Sequence, residues 1–196
     1  ILLPGAKVCK KCAKEITQIN RVKCIVLPAS GKTISCVSPF AYENKIRQSI
    51  LQFKFHGHRD FAGIYAEKMA ELVQNQFPEI SFDFITSVPI SSERRKIRGY
   101  NQSELLARSV SQCLSVPYDD CLVKIKNNRE QHKLSEKERL KNVLGVYQAK
   151  NTEKISGKSV LLIDDIVTTG ATLSACAAML YQNGAKFVAC ATVAEV

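Results

Sequence analysis

The chain has 196 residues, enough for one well-buried domain and a small appendage. Its 45% hydrophobic and 23% charged content is ordinary for a globular protein and excludes a disordered chain, and no apolar run approaches the roughly 20 residues that span a bilayer. A formal charge of +10 points either to a lysine-rich surface or to a polyanionic partner, nucleic acid or a phosphorylated small molecule, so the location of the cations has to decide.

Residues 1–40 hold Cys9, Cys12, Cys24 and Cys36 with Pro4, Pro28 and Pro39 and show little periodicity. They are expected to form a small loop-rich cysteine module, with residues 41–196 as the main domain. No signal-peptide pattern opens the chain, so a reducing, cytoplasmic setting is expected rather than a disulfide framework. A start at Ile1 rather than Met leaves room for natural residues upstream. From residue 42, "YENKIRQSILQFKFHG" places Ile46, Ile50, Leu51 and Phe53 near one helical face, and "FAGIYAEKMAELVQNQF" predicts a second amphipathic helix that stops before Pro78. His56 and His58 flank Gly57 without further ligands nearby, as a solvated helix-end pair would.

"FDFITSVP" (residues 82–89) is β-branched and aromatic and reads as a buried strand ending at Pro89. The loop after it carries four cations in five residues, Arg94, Arg95, Lys96 and Arg98, and is a better anion-site candidate than the basic segment from Lys124 to Lys141, which interleaves Glu130, Glu136 and Glu138 as a solvated helix face would. A helix follows from a capping-type Asn101. A short strand is expected near residues 121–125, a polar loop or exposed helix over 126–142, and a strand over 143–149. "SVLLID" is a strand, residues 171–183 a helix stopped by Gly184, and "AKFVACATVAEV" a last strand. Strands alternating with helices predict an α/β fold, a mainly parallel twisted sheet flanked by helices.

In such a sheet, ligands bind beyond the carboxyl ends of the strands. There the chain reads "LLIDDIVTTGATL": Asp164 and Asp165 close a buried strand, and Thr168, Thr169, Gly170, Ala171 and Thr172 lead into a helix. Two carboxylates suit vicinal hydroxyls or a metal, and a hydroxyl-rich loop at a helix N-terminus suits a phosphate. The bland alternative, one capping acid and a turn glycine, explains each residue singly but not their succession.

This stretch resembles the PRPP-binding signature of the type I phosphoribosyltransferases. "VPISSERRKIRGYNQSELLAR", "REQHKLSEKERLKNVLGVY" and "YENKIRQSILQFKFHG" resemble segments of the ComF family, the competence-associated phosphoribosyltransferase-like proteins. The resemblance implies a type I phosphoribosyltransferase fold, with Asp164, Asp165 and Arg98 as catalytic residues and Thr168 to Thr172 around the 5-phosphate. It implies a pyrophosphate loop of Pro89, Ile90, Ser91, Arg98, Gly99 and Asn101, and a flexible hood over residues 126–142 bearing Arg129 and Gln131. It further implies PRPP with Mg²⁺, a nitrogenous acceptor and transfer of the 5-phosphoribosyl group with release of pyrophosphate, and it allows a homodimer. Two alternatives stay open: a PRPP- or nucleotide-binding protein without turnover, and a single-stranded DNA-binding competence factor with competence-machinery partners. The latter wants base-stacking aromatics, and the chain is 7% aromatic with no Trp.

ComF-type chains carry an N-terminal zinc-ribbon-like module with paired CxxC motifs. Cys9 and Cys12 supply one such pair, but the second is missing, so a zinc site of Cys9, Cys12, Cys24 and Cys36 competes with a degenerate module that has lost its metal. Cys113, Cys121, Cys176 and Cys190 sit in apolar contexts and read as small buried hydrophobes.

Overall fold

The computed structural model of the protein describes residues 14–27, 30–125 and 145–196. In chain order, β1 (Gln18–Val26) and β2 (Thr33–Ala41) are followed by α1 (Asn44–Phe55) and α2 (Phe61–Gln76). Next come β3 (Phe84–Ser87), a short α3 (Ser92–Arg98), α4 (Gln102–Leu114), β4 (Leu122–Lys124) and β5 (Tyr147–Ala149). The chain ends in β6 (Ser159–Val167), α5 (Ala171–Gln182) and β7 (Phe187–Glu195).

The main sheet has the order β1-β2-β7-β6-β3, and only the edge strand β1 runs antiparallel to its neighbour. Phe84 lies opposite Val160 and Ser87 opposite Ile163, which brings the ends of β3 and β6 to one edge. β6 and β7 are apolar over almost their whole length because helices cover the sheet on both sides. Leu161, Ile163, Ala189 and Ala191 pack with Ile50, Phe53, Met69 and Leu106 of α1, α2 and α4. Their alternating neighbours Val160, Leu162, Val188 and Cys190 pack with Leu173, Cys176 and Leu180 of α5 and with Leu122 and Tyr147 of the β4–β5 ribbon.

The mainly parallel, helix-flanked sheet is the one expected. The boundary at residue 40 needs correcting for the described part of the N-terminal segment: β2 is not a loop of a separate module but pairs in parallel with β7, Cys36 opposite Cys190. Ile25, Ile34 and Cys36 belong to the core on the α5 side, and Glu195 of β7 is held by Lys23 (3.1 Å) and Arg21 (3.7 Å) of β1. Burial of these apolar side chains against the sheet is what draws the hairpin in. Pro39, which has no N–H to give, falls where the β2–β7 pairing passes from Val37 to Phe40.

A second difference concerns the basic cluster. It is the two-turn helix α3 rather than a loop, because Ser91 caps it by accepting from the Arg94 N–H (3.3 Å) and Glu93 lies in its first turn. Arg95, Lys96 and Arg98 fall in the last turn, where cations complement the helix dipole. Gly99 then ends the helix at φ +76°, a left-handed conformation that costs glycine nothing.

Candidate functional site

β6 carries both acids and continues to Val167. Strand alternation would send the two carboxylates to opposite faces, yet the β6–β7 pairing passes from Asp164–Thr192 to Ile166–Ala194 without Asp165, and both acids meet donors from the layer of α1 and α4. Asp164 Oδ1 accepts from Ser103 Oγ at 2.7 Å and from the Asp165 N–H at 2.9 Å. Asp165 Oδ1 lies 3.0 Å from Lys54 Nζ, with both side chains largely buried. Burial, and then the neighbouring Asp165 charge, push the Asp164 carboxyl up to about 7, against the opposing pull of Ser103, the Asp165 N–H and Lys54.

Beyond β6 the chain forms a small open concavity lined by Asp164 and residues 166–173. Gly170 stands at the head of α5 with φ +81°, its carbonyl accepting from the Ser174 N–H (2.8 Å) and its lack of a side chain leaving the first turn without a side-chain cap. Thr169 Oγ1 accepts from the Ala171 N–H at 3.4 Å, and the Thr172 hydroxyl is a hydrogen-bond partner of Tyr147. The orphan N–H groups of a helix start, flanked by threonine hydroxyls, make an anion cradle.

The end of β3 lies beside the end of β6. Val88 N–H donates to the Ile163 carbonyl (2.9 Å), and Asn101 ties the segment together: Oδ1 caps α4 at the Ser103 N–H (3.1 Å) and Nδ2 donates to the Val88 carbonyl (3.0 Å). Residues 98–102 then clamp the last turn of α1. The Arg98 guanidinium stacks on Phe55 (4.9 Å) and donates to Gln102 Oε1 (3.2 Å), the Tyr100 hydroxyl donates to the Phe53 carbonyl, and Gln102 Nε2 donates to the Lys54 carbonyl (3.2 Å). Three consecutive residues of α1 are therefore each held by one residue of this segment, and the one in the middle is the lysine that reaches Asp165.

The model of the phosphoribosyl transferase domain family matches residues 101–196, which contain both carboxylates, the anion cradle and α5. Competence protein ComFC of Bacillus subtilis (strain 168) is 28% identical over 207 residues, covering 94% of this chain and 82% of that protein. DNA utilization protein YhgH of Salmonella typhimurium is 27% identical over 199 residues, covering 92% of this chain and 87% of that protein. Over most of its length the chain is similar to these ComF-type competence and DNA utilization proteins. Its fold is that of the type I phosphoribosyltransferases. Among solved structures, the glutamine phosphoribosylpyrophosphate amidotransferase of B. subtilis is 22% identical with a TM-score of 0.45 over 71% of this chain, which spans 30% of that longer chain.

The expected site residues fall into three groups. Asp164, Asp165 and residues 168–172 lie at the carboxyl end of β6. Pro89, Ile90, Ser91, Arg98, Gly99 and Asn101 line or brace the β3 side, with Asn101 acting as the helix cap and Arg98 inside the clamp. Burial, and then Arg94, lower the Arg98 pKa from its ordinary value, while Asp165 opposes them, so the guanidinium shares the electrostatic surroundings of the acid pair. Arg129 and Gln131 lie outside the described residues.

Two participants escape a reading of the sequence, Lys54 and Ser103. A lone lysine at a helix end is normally solvated, and a serine in a helix's first turn is normally part of its cap. Only the spatial meeting of α1 and α4 with the end of β6 gives either one a role, Lys54 at Asp165 and Ser103 at Asp164.

The zinc set also needs correcting. Lys23 lies opposite Cys36 and Cys24 opposite Ser35 in the β1–β2 ladder, so the two thiols point to opposite faces of the sheet and cannot ligate one ion. Cys36 is fully buried beside Thr192, packed in the core on the α5 side, and burial pushes its thiol up to about 12. Cys9 and Cys12 lie outside the described residues, and among the described residues no three His, Cys, Asp or Glu side chains converge on a metal position. Cys121, Cys176 and Cys190 are buried, as expected, whereas Cys113 is exposed. His56 and His58 are exposed, the latter stacked on Phe61 (5.6 Å). Among the described residues no helix is long and apolar enough to cross a membrane.

Proposed function

We propose that this chain binds PRPP across the carboxyl edge of β6 and β3 and transfers its 5-phosphoribosyl group to a nitrogenous acceptor. The observation that carries the reading is the acid pair running through a threonine–glycine loop into the N-terminus of α5. Carboxylates accept hydrogen bonds from the ribose hydroxyls, and the N–H groups of residues 170–172 with the Thr168, Thr169 and Thr172 hydroxyls receive the 5-phosphate. In the transfer the C1–O bond to pyrophosphate breaks, its electron pair leaving with the pyrophosphate. The acceptor nitrogen supplies the pair for the new C1–N bond and gives up its proton. The transition state has oxocarbenium character, so a carboxylate beneath the ring and cations around the leaving group lower its energy. Arg98, carried with Pro89, Ile90 and Ser91 on the β3 side, keeps guanidinium N–H groups beyond its bond to Gln102 for the departing pyrophosphate.

Mg²⁺ belongs to the same proposal and improves the leaving group when bound. With no three-ligand cluster among the described residues, its ligands would come chiefly from pyrophosphate oxygens and water. The names of the ComFC and YhgH relatives support placing this activity in DNA uptake or use.

Calorimetry with PRPP tests the binding half: Asp164→Asn with Asp165→Asn abolishes binding while the fold persists, and unchanged binding refutes it. A screen of bases and amines for PRPP-dependent pyrophosphate release tests the transfer half.

A second reading, single-stranded DNA binding, draws on one feature: Phe55 is 59% exposed and Ile97 78% exposed beside the α3 cations. A base can stack on such a surface while arginines meet the phosphates. Its affinity would fall steeply with salt, and no binding at low salt disposes of it.

A further inference from the structure

We propose that Lys54 is the residue that reads the pyrophosphate end of the ligand, its ammonium bridging Asp165 and the anionic group on C1 of the bound sugar. The assignment rests on the PRPP reading above and gives a role to a residue of α1, inside the "YENKIRQSILQFKFHG" segment, that lies outside the acid pair, the threonine–glycine loop and the β3 side.

The first support is position. Lys54 Nζ lies 3.0 Å from Asp165 Oδ1, and its side chain is only 18% exposed, so it is no surface lysine that happens to swing by. The second is preorganisation. Its carbonyl is held by Gln102, the carbonyl before it by Tyr100 and the ring after it by Arg98. A flexible four-carbon side chain is thereby launched from a backbone that cannot drift, which is how a binding cation keeps its geometry.

The third support is the shape of the ligand. In a ribose, C5 and C1 project from opposite sides of the ring oxygen, with the two hydroxyl carbons between them. A sugar with its 5-phosphate in residues 168–172 and its hydroxyls on the acid pair therefore directs C1 away from that loop. The loop leads into α5, in one layer, whereas Lys54 and Ser103 reach the acids from the layer of α1 and α4. C1 and its pyrophosphate point toward the lysine side.

The fourth is charge. A pyrophosphate brought up to Asp165 meets a carboxylate of like sign, and a cation already paired with that carboxylate removes the repulsion and offers further ammonium donors to the phosphate. Ammonium has three N–H groups in rotatable positions, so one bond to Asp165 leaves others for the ligand.

Calorimetry with PRPP, inorganic pyrophosphate and ribose 5-phosphate on wild type, Lys54→Gln and Lys54→Arg tests this. Lys54→Gln is expected to weaken PRPP and pyrophosphate about 10- to 100-fold, the loss of one hydrogen bond to a charged group, and to leave ribose 5-phosphate within roughly twofold. Lys54→Arg restores most of the loss, which a purely structural role would not require, and melting curves check that the variants fold. Equal weakening of ribose 5-phosphate and PRPP overturns the assignment, because Lys54 then acts only through Asp165. Undiminished PRPP binding in Lys54→Gln overturns it too. Wild type that binds none of the three ligands refutes the PRPP reading itself, and this assignment with it.

Discussion

The side chain of Ile25, on the edge strand β1, covers Gly170 at the head of α5 so closely that a β-carbon there would lie 2.8 Å from Cδ1 and 2.9 Å from Cγ1. One residue on, the Val26 carbonyl accepts from Ser174 Oγ at 3.2 Å. The N-terminal hairpin is therefore the back wall of the anion cradle. It gives residues 14–41 a part in the site that their cysteines suggest for a different reason.

That close approach makes Gly170→Ala doubly unfavourable. The φ of +81° costs a residue with a β-carbon on the order of 1–2 kcal/mol, and the methyl group also drives into Ile25. PRPP and ribose 5-phosphate affinities should fall together, since the phosphate cradle is shared by both. Ile25→Ala in the Gly170→Ala background should recover part of the loss by removing the collision while leaving the strain. A calorimetric double-mutant cycle reads this directly, and additive losses would mean that the two side chains do not meet.

Asp164 makes stability depend on pH with a definite sign. Its carboxyl titrates near 7 in the folded chain and at 3.8 as an isolated group, so between those values the folded state holds more of the proton. The stabilising contribution is complete below about 3.8 and is lost as pH rises through about 7. Asp164→Asn, which is never charged, should therefore melt higher than wild type by a margin that is larger at about pH 8 than at about pH 5.5. For a chain of this size each kcal/mol corresponds to about 2–4 °C, so differential scanning fluorimetry resolves it. A constant margin across that range would place the carboxyl in an ordinary solvated environment.

Most of the fold is legible because its signals are local. Buried parallel strands show as unbroken apolar runs, as in "SVLLI", and α1 and α2 show as apolar residues at helical spacing. The acid pair and cradle are legible for the same reason, since one strand–loop–helix unit supplies both. What fails is non-local. Pro39 and the cysteines make β2 look like a loop, and only its neighbour β7, which lies close to the other end of the chain, explains why the strand forms and why Cys36 is buried. Lys54 lies in a segment that resembles the ComF family, but its role is not legible there, because it comes from Gln102 and Asp165, which lie far along the chain.

The clamp on α1 can be weakened without touching a charge. Tyr100→Phe keeps the ring packed against Phe53 (6.2 Å between centroids) and beneath Arg59, but removes the hydroxyl that donates to the Phe53 carbonyl. The expected cost is about 1 kcal/mol, or about 2–4 °C in melting temperature. If the clamp also positions Lys54, PRPP affinity should drop more than ribose 5-phosphate affinity. A melting change with no difference between the two ligands would make the clamp purely structural.

The buried position of Cys36 yields a prediction opposite to that of a metal ligand. A valine there suits a β-strand core, and the thiol's hydrogen bond to Thr192 is a long one (4.0 Å), while the Thr192 hydroxyl keeps Ser38 at 2.7 Å. Cys36→Val should therefore change stability by less than about 1.5 kcal/mol and leave any zinc bound per chain unaltered. Were Cys36 a ligand, loss of one of four thiolates would both empty the site and destabilise the fold, because metal binding and folding are linked. Metal analysis of the purified variant beside wild type separates the two outcomes. Iodoacetamide labelling adds a second readout: Cys24, exposed on the other face of the hairpin, should react in the native protein, and Cys36 only after denaturation.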